Sequence, residues 1–192
     1  MPVIEYFPYM GPNRRSDKTV VEITLRFDSD QEEGFPIPVS EARKLLVEGA
    51  VLANDEVFPE QTLPIDPMAG LASLLAQTAL LLQRKTGHRV SFHTILPGPS
   101  PDFYIALVEH EHCDVGMTAV KLAWEMLSGQ RRLLEEPFAM FSRFAQERLL
   151  PLQTEAIIKA AQRRDIPCVQ LERQPFKRED FEALTKGKTI LA

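Results

Sequence analysis

The stretch from Asp66 to Thr86 constrains this chain more than any other. Its apolar residues recur at helical spacing: Met68, Leu71, Leu75, Ala79 and Leu82 form one stripe, and Leu74 and Leu81 widen it. Gly87 is placed to stop the helix. A helix this apolar is buried on much of its circumference, so the chain must supply other elements to enclose it. With 192 residues, 44% of them hydrophobic, there is material for one proper core and at most a small second unit. The longest apolar run, Leu71 to Leu82, is interrupted by Ser73, Gln77 and Thr78, and is too short and too polar to cross a bilayer. The opening MPVIEYFPYMG has no basic segment and two prolines, and does not read as a signal peptide. A soluble, cytoplasmic protein is expected.

The enclosing elements are strands. In KTVVEITLRFD, residues 18–28, Thr19, Val21, Ile23, Leu25 and Phe27 fall on one side. Lys18, Glu22, Thr24, Arg26 and Asp28 fall on the other, with Val20 the exception. That alternation marks a strand with one buried and one wetter face. VIEYF reads as another strand, and the Gly-Pro-Asn after it as a turn. Arg89–Ile95 and Phe103–His110 read as two more, joined by a Pro97–Pro101 loop, the second apolar on both faces as a central strand is. Asp28 to Pro38 is a loop, and Ser40 caps a short helix through Glu48. Asp114 is placed to cap a helix to about Leu127, Glu135 to about Leu149 continues helically, and Thr154 opens a helix ending at Arg163-Arg164. Ile166-Pro167 then leads into a strand at Cys168–Leu171. The expected fold is α/β of the α+β type: a mixed sheet of about five to six strands packed with helices. A compact domain over 1–150 is followed by a helix–strand unit with a polar tail over 151–192.

Charge narrows the function classes. Twenty-two basic against 27 acidic residues leave a formal charge of −5, which argues against a nucleic-acid binder. Cys113 and Cys168 have no CxxC or CxxH neighbour and read as free thiols of a reducing compartment.

Three patches in fixed order carry a resemblance. Gly11-Pro12-Asn13, with Ser16 three residues on, fits a Gly-Pro-Asn-x-x-Ser signature. Leu82-Gln83, Gly87, Phe92, Pro101, Tyr104, Glu109 and Gly116 follow in order through the middle. Thr154 to Ala161, then Arg164 and Ile166-Pro167, make the third patch. Together they resemble the amino-terminal part of cyanophycin synthetase, the third patch being similar to the unit that opens that family's ATP-grasp region. The likeness covers roughly two-thirds of the chain, with 29–66 and 173–192 outside it. Departures are clear. Ser73, Ala76, Gln77 and Leu81 stand where the family's long helix carries His and Glu, and Arg15 replaces an aromatic. Pro151-Leu152-Gln153-Thr154 replaces a Gly-Pro-Ser-Thr entry. The resemblance implies a domain that holds a charged polymer near a ligase, whose own chemistry lies in regions this chain lacks.

Chemistry-bearing motifs are sparse. Thr185-Lys186-Gly187-Lys188-Thr189 has Glu182 where a P-loop needs glycine, so it reads as a solvated basic tail. His110-Glu111-His112-Cys113-Asp114 is the densest ligand-like cluster, with His110 and His112 on one face if the strand continues. A metal needs three or four converging ligands, and only His93 across the sheet offers another, so no metal site is assigned and His110 and His112 stay candidates alone. Cys168 and Cys113 give no sign of nucleophile chemistry. Arg14 and Arg15 beside Asn13 form a basic, polar turn able to meet a carboxylate bidentately.

The reading is a non-catalytic binding or accessory protein without a cofactor. Its site is Asn13, Arg14, Arg15 and Ser16, with Glu109 added through the resemblance. Its partner is a charged peptide or polymer, or a separate ATP-grasp or Mur-type ligase. Nucleic acid and membrane are not expected, and homo-oligomer formation stays open. The rivals are a subunit completing an ATP-dependent amide ligase in trans, retaining 154–171 for that purpose, and a small metal-dependent enzyme using His110–Asp114.

Overall fold

The computed structural model describes residues 3–26, 67–128, 135–164 and Ile166. The expected loop at Asp28–Pro38, the helix from Ser40 to Glu48, the strand Cys168–Leu171 and the basic tail lie outside the described residues. Contacts divide the chain into two units, Met1–Leu149 and Leu150–Ala192. The first holds β1 (Val3–Tyr9), β2 (Val20–Arg26), α1 (Pro67–Lys85), β3 (His93–Pro97), β4 (Phe103–Glu109), α2 (Cys113–Leu127) and α3 (Glu135–Gln146). The second holds α4 (Leu152–Gln162).

The sheet runs β1-β2-β4-β3, and every pairing is antiparallel. This corrects the expected mixed sheet of five to six strands: the described residues form four. The reason is the connectivity. The chain leaves β2, returns through α1 to the far edge as β3, and the β3–β4 hairpin places β4 between β3 and β2. β4 therefore runs opposite to both neighbours.

Strand parity sorts the side chains. Val21, Ile23 and Leu25 of β2, with Ala106 and Val108 of β4, face the helices. There they join Leu71, Leu74, Leu75 and Leu82 of α1 and Val120, Ala123 and Leu127 of α2 in one core. α1 lies over β3 and β4, α2 over β1 and β2, the two helices pack together, and α3 rests on α2. The opposite sheet face carries a second cluster of Val20, Ile105 and Leu107, packed with Tyr9, Phe92, Leu96 and Phe103. Val20, the break in the alternation, belongs to that cluster, and β4 is apolar on both faces because it feeds both.

α1 is buried at every residue from Ala69 to Gln83. Part of its polar inventory is absorbed locally, while Gln77 Oε1 and Gln83 Oε1 are buried with no hydrogen-bond partner among the described residues. Gln77 Nε2 donates to Ser73 Oγ at 3.0 Å, and Thr78 Oγ1 donates to the Leu74 carbonyl at 2.7 Å. Gln83 Nε2 reaches the Glu109 carbonyl at 3.1 Å, tying the helix to the end of β4. Each fully buried leucine contributes about 1.5–3 kcal/mol. Gly87 has φ of 100° and ends the helix, with the Gly87 and His88 N–H groups donating to the carbonyls of Arg84 and Gln83.

Among the boundaries that differ from expectation, three have a local cause. β3 begins at His93 rather than Arg89, because the Ser91 and Phe92 N–H groups donate to the Glu109 side chain instead of a strand ladder. α2 begins at Cys113, with His112 in the cap position and Asp114 inside the first turn, where its charge suits the helix dipole. α4 begins at Leu152 after Pro151, so Thr154 is an interior residue; Pro151 has no N–H to leave unsatisfied.

Candidate functional site

The connection from β1 to β2 contains the Asn13–Ser16 turn. Asn13 N–H donates to the Ser16 carbonyl at 2.8 Å. Asn13 Oδ1 accepts from the backbone N–H groups of Arg15 at 2.9 Å and Ser16 at 3.1 Å. Ser16 Oγ accepts from the Lys18 N–H at 3.0 Å. These are Asx- and Ser-type turn bonds: short polar side chains replace ladder partners that the backbone lacks here. A Cβ at Gly11 would meet nothing within 4 Å, so the first glycine of the signature is not required for clearance.

The two arginines part company. Arg15 Nη1 meets Glu22 Oε1 at 3.1 Å, and both side chains are largely covered. Arg14 is exposed. Next along the chain, Lys18 Nζ meets Glu109 Oε1 at 2.8 Å and lies 5.5 Å from the centre of the Phe92 ring. Glu109 Oε2 accepts the Ser91 and Phe92 N–H groups, each at 2.7 Å. Burial alone raises the Glu109 pKa, but the Lys18 hydrogen bond, the two backbone N–H groups and the Lys18 charge together hold it below its ordinary value. It is a carboxylate fixed at both oxygens.

Asn13, Ser16, Lys18 and Glu109 thus form one hydrogen-bonded chain, with Arg15 and Glu22 beside it. Lys18 and Glu22 were not singled out from the sequence. Their signal was present: both lie on the wet side of the alternating strand, and Val20, between them, pairs with Glu109. Two polar atoms of this cluster, Asn13 Nδ2 and Glu22 Oε2, are buried without a hydrogen-bond partner among the described residues.

The His110–Asp114 cluster disperses. β4 ends at Glu109, so His110 and His112 do not share a strand face. Glu109 points to the outer face of the sheet and His110 to the helix side, where its Cβ lies 2.7 Å from where a Cβ on Gly116 would stand. His110 is 2% exposed, and among the described residues neither ring nitrogen makes a hydrogen bond of good geometry. Burial drives its pKa down to about 4; the Tyr9 backbone and the Glu109 charge oppose this, and His112 adds to it. Burial also lowers His93. Cys113 is buried in the first turn of α2. Among the described residues no three His, Cys, Asp or Glu side chains converge as metal ligands, and no helix is long and apolar enough to cross a membrane.

No family model matches the chain, and no curated protein shows significant similarity to it.

Proposed function

We propose that this is a non-catalytic binding or accessory protein, similar in role to the polymer-holding amino-terminal domain of cyanophycin synthetase. It docks a charged peptide or a partner ligase through the turn at 13–16. One observation supports this reading most. Asn13 fixes the backbone of the turn, Glu22 holds Arg15, and Arg14 is left exposed on a rigid base. A preorganised guanidinium meets a carboxylate at smaller entropic cost than one on a loose loop. Glu109 fits the same picture as a support. Both its oxygens are engaged and its pKa is lowered, which suits a carboxylate that holds a segment in place rather than one that shuttles protons.

The test is retention on an immobilised acidic oligopeptide at low and high salt. Arg14→Ala should lose most of the salt-sensitive retention. Arg15→Ala should lose less, because that guanidinium is already paired. Equal retention by wild type and Arg14→Ala would move the binding face away from this turn.

A further inference from the structure

We propose that His110 is an acid-sensitive fastener: as a neutral ring it closes the corner where β1, β2, β4 and α2 meet, and on protonation it leaves that corner and frees the turn over residues 10–19. The proposal holds whether or not that turn binds an acidic partner.

The geometry carries it. His110 is sealed from solvent, and among the described residues neither ring nitrogen makes a hydrogen bond of good geometry. A protonated imidazole has two N–H donors to satisfy, and among the described residues this sealed corner offers them the Tyr9 backbone alone, which opposes the effect of burial without cancelling it. The base of the side chain is hemmed in by Gly116 of α2, and Val21 Cγ2 of β2 lies 3.1 Å from the same Gly116 Cβ position. The backbone of His110 is the clasp. Its N–H donates to the Thr19 carbonyl at 3.1 Å, and its carbonyl accepts from Thr19 Oγ1. Thr19 ends the turn that begins after Tyr9, so moving His110 loosens the turn at its root.

The surroundings do not rescue the cation. Among the described residues Glu109 of β4 is the opposite charge acting on the ring, and its oxygens are occupied on the other sheet face by Lys18, Ser91 and Phe92. His112 acts against protonation. β1 offers only the Tyr9 backbone, while β2 and α2 present Val21 and Gly116. His93 of β3, on the same sheet face by parity, is half-buried, and its own pKa is lowered by burial. Because the closed corner excludes the proton and the open one accepts it near the ordinary histidine value, the opening equilibrium rises with acid. Between the ordinary value of 6.5 and about 4 the gain is about tenfold per pH unit, or about thirtyfold by pH 5.

Native-state amide exchange on the intact chain, corrected for intrinsic rates, tests this. The His110 and Asn13 amides should show opening constants about thirtyfold larger at pH 5 than at pH 7.5, unaffected by low urea. The Leu75 amide in α1 should exchange more slowly, with a clear urea dependence. The His110 ring should show no titration near pH 6.5 by NMR, and His110→Leu should flatten the pH response of the corner. A ring that titrates near 6.5 in the folded protein overturns the proposal. So does a corner that opens only together with α1, at the same rate and with the same urea dependence. If His110→Leu does not fold, these wild-type measurements decide the matter alone.

Discussion

Gly116→Ala probes a close approach between α2 and the sheet. An alanine Cβ there would stand 2.7 Å from His110 Cβ, 3.1 Å from Val21 Cγ2 and 3.2 Å from His110 Cγ. Carbon atoms rest at about 3.5–4.0 Å, so roughly an ångström must be found. The nearest atom is a Cβ, which no rotamer change can move. The backbone carrying it is pinned to Thr19 through both its N–H and its carbonyl. α2 must therefore lift at its first turn, loosening the contacts of Val115 and Ala119 behind it. Overpacking of this kind costs about 1–3 kcal/mol, and the better helix propensity of alanine returns at most about 1 kcal/mol. The net loss is about 1–2 kcal/mol, or a fall in Tm of about 3–8 °C for a unit of this size. Urea titration followed by circular dichroism and by Trp124 fluorescence measures it. Gly11→Ala, where an added Cβ meets nothing, is the control and should stay within about 0.5 kcal/mol of wild type. Shrinking His110 to alanine in the Gly116→Ala background should rescue little, since the clashing Cβ remains. A Gly116→Ala protein as stable as wild type would refute the claim that this glycine sets the helix–sheet distance.

Other expected outcomes are simpler to state. Glu109→Gln removes the charge that holds Lys18 and weakens the acceptor for Ser91 and Phe92, so stability should fall by about 1–2 kcal/mol. Faster exchange at the Phe92 amide would show that the loss is local. Gly87→Ala forces a side chain into φ of 100° with Leu149 Cδ1 3.2 Å away, and should cost about 1–2 kcal/mol in the same titration. A histidine held below its unfolded pKa contributes stability that is complete above about pH 6.5 and drains as pH falls toward 4. Urea titrations should therefore show about 2 kcal/mol lost at pH 5, and His110→Leu should lose much less. Glu109, lowered from 4.5, adds its own loss only below that value, so the two contributions separate along the pH axis.

What could be read from the sequence is what the backbone period decides. α1 was legible because its apolar spacing matches one helix turn, and β2 because Val21, Ile23 and Leu25 alternate with Glu22 and Thr24. The two-faced character of β4 was legible as well, and the structure supplies its cause in the two apolar clusters that flank it. Strand count, strand direction and the start of β3 were not. They depend on which partner satisfies each backbone N–H, and for Ser91 and Phe92 that partner is a side chain 17 or 18 positions away.

The density of residues 110–114 in sequence does not carry over into space for a related reason. His110, Glu111, His112, Cys113 and Asp114 look dense on paper because adjacent residues seem adjacent in space. A strand sends neighbours to opposite faces, and this strand stops at Glu109. Glu109 therefore joins the outer face with Lys18, His110 enters the core, His112 caps α2, and Asp114 turns with the helix. The cluster that does exist is assembled by register. Val20 opposite Glu109 brings Lys18 within reach across 91 positions of chain, and Asn13 and Ser16 hold the turn that delivers it. A turn signature and a strand-terminal glutamate thus act as one unit, and substitutions at either end should be coupled. Combining Asn13→Ala with Glu109→Gln should cost less than the two single losses added together. Simple additivity would mean that the turn and the strand end hold independently.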